Sequence, residues 1–199
     1  MRLSLLTALG LAIMPVRAPA QFSLRVGAGA TLGSTLVSKA VLYDDVVSLR
    51  TATATTIAIA LGYPIAPQYR LLLEGRIASG GLSAESDVGT SDLGSLRTVG
   101  VVLIAEGPLP YHLRFQLGGG ALKYSPSRAS GVFADGAPTK PMVTAGLGWT
   151  RPMGRGLDLH VGGRWDLHEF TTGALQRRGW SLAQRVHRLA LTVAVERGF

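Results

Sequence analysis

Four histidines, at 112, 160, 168 and 187, are the side chains of this sequence best suited to moving protons at neutral pH. The best cluster is the stretch DLHEF, where Asp166 and Glu169 flank His168. A hydroxyl nucleophile needs a histidine within hydrogen-bond reach and a third group to orient that histidine. Asp166 and His168 offer the orienter and the base, with His187 expected near them. Ser181, however, stands at no informative spacing from either histidine. As a metal pair, His168 and His187 lack the companion ligands of a closed site, and there is no cysteine to supply them. No catalytic, cofactor or metal site is expected from these residues, and the chain is expected not to be an enzyme.

The elements carrying these histidines have a period of two. The last strand sets Leu189, Leu191, Val193 and Val195 against Ala190, Thr192, Ala194 and Glu196. The same alternation recurs from Phe22 to Leu32, Ile57 to Tyr63, Tyr69 to Ile77, Val99 to Ala105, Tyr111 to Leu117, Val143 to Trp149 and Leu157 to Leu167, making eight strands. Mean hydropathy is +0.28 and only 16% of residues are charged, yet no apolar run approaches the roughly 20 residues of a membrane helix. Apolar residues spread so thinly are those of alternating strands.

Before the first strand, Arg2 precedes an apolar stretch from Leu3 to Met14 and a segment ending Ala18-Pro19-Ala20. Residues 1–20 thus read as a secretory signal peptide, with Gln21 the first mature residue. Removing Arg2 and Arg17 takes the formal charge from +8 to 8 − 2 = +6. A basic balance can mark a nucleic-acid binder, but a secreted chain does not meet its genome.

Connections alternate in length. PIAP, GPLP and RPMGR read as tight Pro/Gly turns, whereas Ser34–Thr51, Gly80–Asp92, Tyr124–Lys140 and Glu169–Arg185 read as long polar loops. Short turns at one end and long loops at the other are the pattern of a transmembrane barrel. Phe22, Tyr63, Tyr69, Tyr111, Trp149 and Phe199 then share one level and the outward parity, as an interfacial girdle does. Trp165 and Tyr124 would form a thinner girdle at the long-loop end.

The opposite parity carries the ions. Arg25, Arg70, Arg76, Arg114, Arg164 and Arg188 share it with Glu74, Glu106, Asp158, Asp166 and Glu196, six cations against five anions. Facing outward, an arginine at bilayer mid-depth costs about 2–4 kcal/mol, so these charges must line the inside. Strand order predicts the pairs Arg25–Glu196, Arg70–Glu106 and Arg188–Asp166. An eight-stranded cylinder is only wide enough for its side chains, so a plugged polar lumen is expected.

Strand count, loop alternation, signal peptide and the final Phe199 together resemble the small eight-stranded outer-membrane barrels of Gram-negative bacteria, the OmpA transmembrane domain and OmpX type. The resemblance spans residues 21–199 and implies an all-β, eight-stranded antiparallel up-and-down transmembrane β-barrel in the outer membrane. It implies that Phe199 and the alternating residues before it are read by the barrel-assembly machinery, although Arg197 stands where an apolar residue is usual. Some barrels of this shape are lipid A-modifying enzymes. Their motif would place a serine two positions from the histidine, where this chain has Phe170. What remains expected is a monomer with a structural or surface-interaction role, with a lipid A-modifying enzyme or a narrow channel as alternatives. In the last loop, Arg177, Arg178 and Trp180, with Arg185 beyond them, form a candidate lipopolysaccharide contact, because guanidinium forks suit phosphates. The first loop is apolar enough to continue as a hairpin, and the second reads as a flexible acidic loop.

Overall fold

The computed structural model describes residues 22–42, 45–128, 131–136, 138–177 and 183–199. The expected signal peptide lies outside the described residues. Eight antiparallel strands close into a ring: β1 (Ser23–Thr31), β4 (Ala54–Ala66), β5 (Tyr69–Ser86), β6 (Gly89–Pro108), β7 (Leu113–Pro126), β8 (Thr139–Gly154), β9 (Leu157–Phe170) and β10 (Gln184–Gly198). Closure is made by β1 on β10, in an unbroken register from Ser23↔Gly198 to Thr31↔Ala190. Between β1 and β4 the chain forms a hairpin, β2 (Thr35–Leu42) with β3 (Asp45–Thr51), and β3 adds to the far end of β5.

The faces follow the two-residue period. Ile57, Ile59, Leu73, Val101, Leu103, Leu117, Val143, Leu147, Leu191 and Val193 stand exposed on the outside, while Arg25, Glu74, Glu106, Arg164 and Glu196 are buried within. Water outside would leave this outer belt of large aliphatic side chains without a solvent; hydrocarbon is the medium that fits it. A closed ring also leaves no ladder hydrogen bond open to lipid.

The short turns sit later in the sequence than expected, because the strands run on through their prolines. β4 extends to Ala66, so the turn is Pro67-Gln68, with a bulge after Pro64. β6 extends to Pro108, and the turn closes at Tyr111-His112, where Leu113 N donates to Pro110 O. β8 reaches Gly154, and Arg155-Gly156 makes the corner. Positive φ at both central residues of the last two turns is the twist-matched hairpin geometry. Tyr111 therefore does not begin a strand: it stands at a turn tip, 87% exposed.

The other girdle residues lie where alternation predicts. Phe22, Tyr63, Tyr69 and Phe199 are exposed, and Trp149 is half-buried. Phe22 and Tyr63 rings meet at 5.5 Å. Tyr69 meets Phe115 edge-on at 6.4 Å, and a Cβ on Gly107 would strike both rings, so the two aromatics cover a glycine of the wall. At the long-loop end Trp165 is outward and stacks on His187. Tyr124 is not a girdle residue: it points inward and is 1% exposed.

The second loop is not a flexible acidic segment. β5 and β6 continue as a paired ribbon to Ser86↔Gly89. The third contains a single 3-10 turn, Gly131–Phe133, and the fourth a short helix, α1 (Gly173–Arg177), capped where Leu175 N donates to Thr172 Oγ1.

Replacing Leu103, in the middle of an outward run, by Arg should destabilise the folded barrel by about 2–4 kcal/mol, while Ser91→Arg on the ribbon above the ring should change it by less than about 1 kcal/mol. Urea unfolding in lipid vesicles, followed by the gel shift between compact and boiled forms, measures both.

Candidate functional site

The lumen is built in three layers. At the short-turn end, Glu106 collects three guanidiniums: Arg25 at 3.0 Å, Arg70 at 2.5 Å and Arg114 at 2.5 Å. Gln116 donates to the same carboxylate at 2.8 Å. Glu196 shares Arg25, at 2.8 Å, and Arg70. The register explains the grouping, since Arg25↔Glu196, Arg70↔Glu106 and Glu106↔Gln116 are all ladder partners on the inner face. Arg114 Nη2 also donates to Gln68 O at 2.7 Å, tying the network to the first short turn. His160 lies against this layer, with Thr150 Oγ1 3.1 Å from Nδ1. Asp158 is half-buried and makes no ion pair among the described residues, so it stands apart from the network expected of it.

The middle layer crosses the barrel. Arg164 on β9 donates to both oxygens of Glu74 on β5, at 2.9 and 2.6 Å. Arg76 on β5 reaches back to Asp166 on β9 at 2.7 Å. β5 and β9 stand opposite in the ring, so two bridges of opposed polarity span its diameter. Thr144 Oγ1 donates to the other oxygen of Asp166 at 2.7 Å. Inward glycines make room for these long side chains: a Cβ on Gly100 would press on Arg76, and one on Gly148 on the His160 ring.

The predicted pair Arg188–Asp166 does not form, although the two are register partners. Asp166 is engaged by Arg76 and Thr144, and the Arg188 guanidinium extends across the lumen to donate to Thr98 Oγ1 at 3.1 Å. A side chain that long is not held to its ladder neighbour.

Above the ions the interior is apolar, where a wholly polar lumen was expected. Leu36, Leu49, Leu82, Leu96, Leu122 and Val186 close together beneath Val132 and Phe133 of the 3-10 turn and Leu175 of α1. Phe170 is the hub of the ring contacts, with Tyr124 at 5.1 Å and Phe133 at 5.8 Å. Arg177 pairs with Asp135, fastening the fourth loop to the third. Arg178 and Trp180, the rest of the predicted lipopolysaccharide contact, lie outside the described residues, as does Ser181.

The histidine cluster is divided by the wall. His168 faces inward, donating or accepting at Tyr124 Oη, while His187 faces outward on Trp165. They cannot serve one metal or one nucleophile, and among the described residues no group of three metal-ligating side chains occurs.

A cleft of about 640 Å³ opens where the β8–β9 ladder stops at Met142↔His168. Pro141 has no amide proton to extend the ladder. Val143 and Leu167 line the cleft, together with Lys140, Arg185 and the ladder partner of Arg185, Glu169. Sequence reasoning grouped Arg185 with the arginines of the last loop but did not single out Lys140; Pro141 within a strand pattern was the available signal.

No family model matches the chain, and no curated protein matches it. Solved structures do. Neisserial surface protein A superposes with a TM-score of 0.52 at 14% identity, over 89% of this chain and 97% of that one. OprG of Pseudomonas aeruginosa gives 0.52 at 10% identity, over 90% and 96%, and AlkL in lipid bilayers 0.53 at 13%, over 94% and 95%. The fold is that of the outer-membrane β-barrels. This barrel differs from a hollow cylinder in that ions fill its lower and middle levels, with Leu72, Val102 and Ile104 among them, and an apolar plug fills its upper end.

Glu106→Gln leaves Arg25, Arg70 and Arg114 facing a neutral amide and should cost about 3–5 kcal/mol of unfolding free energy. The exposed pair Arg50–Glu85 is the control: Glu85→Gln should cost less than about 1 kcal/mol. Equilibrium urea titration in vesicles distinguishes a shared buried anion from a set of separately solvated ions.

Proposed function

We propose that this outer-membrane barrel is a sealed, non-enzymatic monomer with a structural and surface-interaction role, acting through its long-loop end. One observation carries the reading: side chains cross the lumen at successive levels, from the Glu106 cluster through the Arg164–Glu74 and Arg76–Asp166 bridges to the Phe133–Phe170 plug. The described interior cavities at Arg188 and at Arg25 measure about 20 Å³ each, room for one small occupant and not for a conducting water column. Against an acyl-transfer or deacylation site stands the separation of His168 from His187 by the barrel wall, with Phe170 at the motif's serine position.

Lipopolysaccharide is the partner that the rim chemistry fits. Lys140 and Arg185 place cations beside the lipid-facing Val143 and Leu167, with Glu169 as the one anion of the cleft among the described residues, opposite Arg185; the exposed Arg177 is paired with Asp135. Cationic heads over an apolar wall match a phosphorylated lipid.

In planar bilayers the reconstituted protein should give no discrete conductance steps; regular steps would show a through-path and overturn the sealed reading. Vesicles containing lipopolysaccharide should retain the barrel's rim in a protected state that Lys140→Glu with Arg185→Glu weakens about tenfold, read as the lipopolysaccharide concentration needed to protect the loops from protease. An unchanged concentration dependence would remove lipopolysaccharide as partner.

A further inference from the structure

Among the described residues, each guanidinium of the lumen but one has a carboxylate. Arg25, Arg70 and Arg114 share Glu106, the first two also with Glu196, while Arg76 and Arg164 share Asp166 and Glu74. Arg188 is 8% exposed and its one hydrogen bond among the described residues is to Thr98 Oγ1. Its Nη1 is buried without a partner. Asp166, its ladder neighbour, has its two oxygens engaged by Arg76 and Thr144.

The Arg188 guanidinium borders a cavity of about 20 Å³ whose walls contain hydroxyls and no carboxylate. Thr98 already accepts from Arg188, so its own proton is available to donate into this space. Thr31 and Thr56 are bonded to each other at 2.7 Å, and Thr31 lines the same cavity. Leu36, Leu96 and Tyr124 also line it, each buried, and keep the Arg188 head group from bulk water. A desolvated cation surrounded by donors calls for negative charge, which water cannot supply.

We propose that the Arg188 cavity is a binding site for a small monovalent inorganic anion of the halide class. One anion converts the unmatched guanidinium into a neutral pair and takes the donor of Thr98. One unmatched guanidinium balances a single negative charge, which favours a monovalent ion such as a halide over phosphate. The site locks β10 to β6 across the lumen just below the apolar plug, so its occupancy couples the anion to the stability of the long-loop end.

Two measurements on the intact barrel test this. Crystals grown with sodium bromide should show an anomalous peak within hydrogen-bond distance of Arg188 Nη1. In detergent, replacing gluconate by chloride at constant ionic strength should raise the midpoint of the heat-induced gel shift by roughly 3 °C or more, in a saturable way. Arg188→Gln should abolish both signals. If that variant does not fold, Thr98→Val keeps the charge, removes one donor, and should move the chloride titration to several-fold higher concentration. An ordinary water at the site in bromide crystals, or a midpoint indifferent to chloride in the wild-type barrel, overturns the proposal.

Discussion

Hydrocarbon outside the barrel is the constraint from which the remaining structure follows. Lipid offers no hydrogen bonds, so the strands must close on themselves, and β1 meets β10 without an interruption in register. Lipid also rejects charge, so the charged side chains at mid-depth of the spanning strands must point inward. The inside of eight strands is narrow. Ions forced into that space either pair or are left desolvated, and the pairing pattern becomes the architecture of the lumen.

That pattern changes along the axis because the available solvent changes. Near the short turns, Arg70 and Arg114 keep partial access to water, and the network there tolerates three guanidiniums on two carboxylates. At mid-depth access is lost, and the charges balance, Arg76 and Arg164 against Glu74 and Asp166. Toward the long loops the chain stops using ions: inward positions become Leu82, Leu96, Leu122 and Val186, and loop residues such as Phe133 and Leu175 descend onto them. The barrel is therefore inside out only in its lower part. Above, it has an ordinary apolar core, roofed by a 3-10 turn and a helix that Arg177–Asp135 joins.

Strands and faces were legible in the sequence because period two reports directly on which side is lipid. The outward Leu103 and the inward Glu106 need nothing beyond parity. Pairing was legible only where a ladder neighbour is also the nearest opposite charge, as for Arg25 with Glu196. It failed at Arg188, because an arginine can span to the far wall while its neighbour Asp166 is claimed by Arg76. Prolines misplaced the turns: in edge-free sheets they signal a break, yet here strands β4, β6 and β8 carry prolines close to their final residues. His168 and His187 looked adjacent because 19 residues and one loop bring them level, but their parities differ, and Val186, not His187, is the ladder partner of His168.

The roof has a consequence for where recognition can occur. A pore-forming barrel keeps its inner wall available to solutes, so its selectivity lies in the lumen. In this chain the inner wall is consumed by its own side chains, and the same residues that plug it, Leu36 and Leu49 from the β2–β3 hairpin and Leu175 from α1, hold the loops down. Loop conformation and lumen packing are thus one cooperative unit: a loop cannot lift without exposing Phe133 and Phe170 to water. What is left for contact is the outer surface, namely the β5–β6 ribbon, the loop tips, and the wall cleft where Pro141 ends the β8–β9 ladder. The plug is therefore what ties the position of the loops to the packing of the lumen.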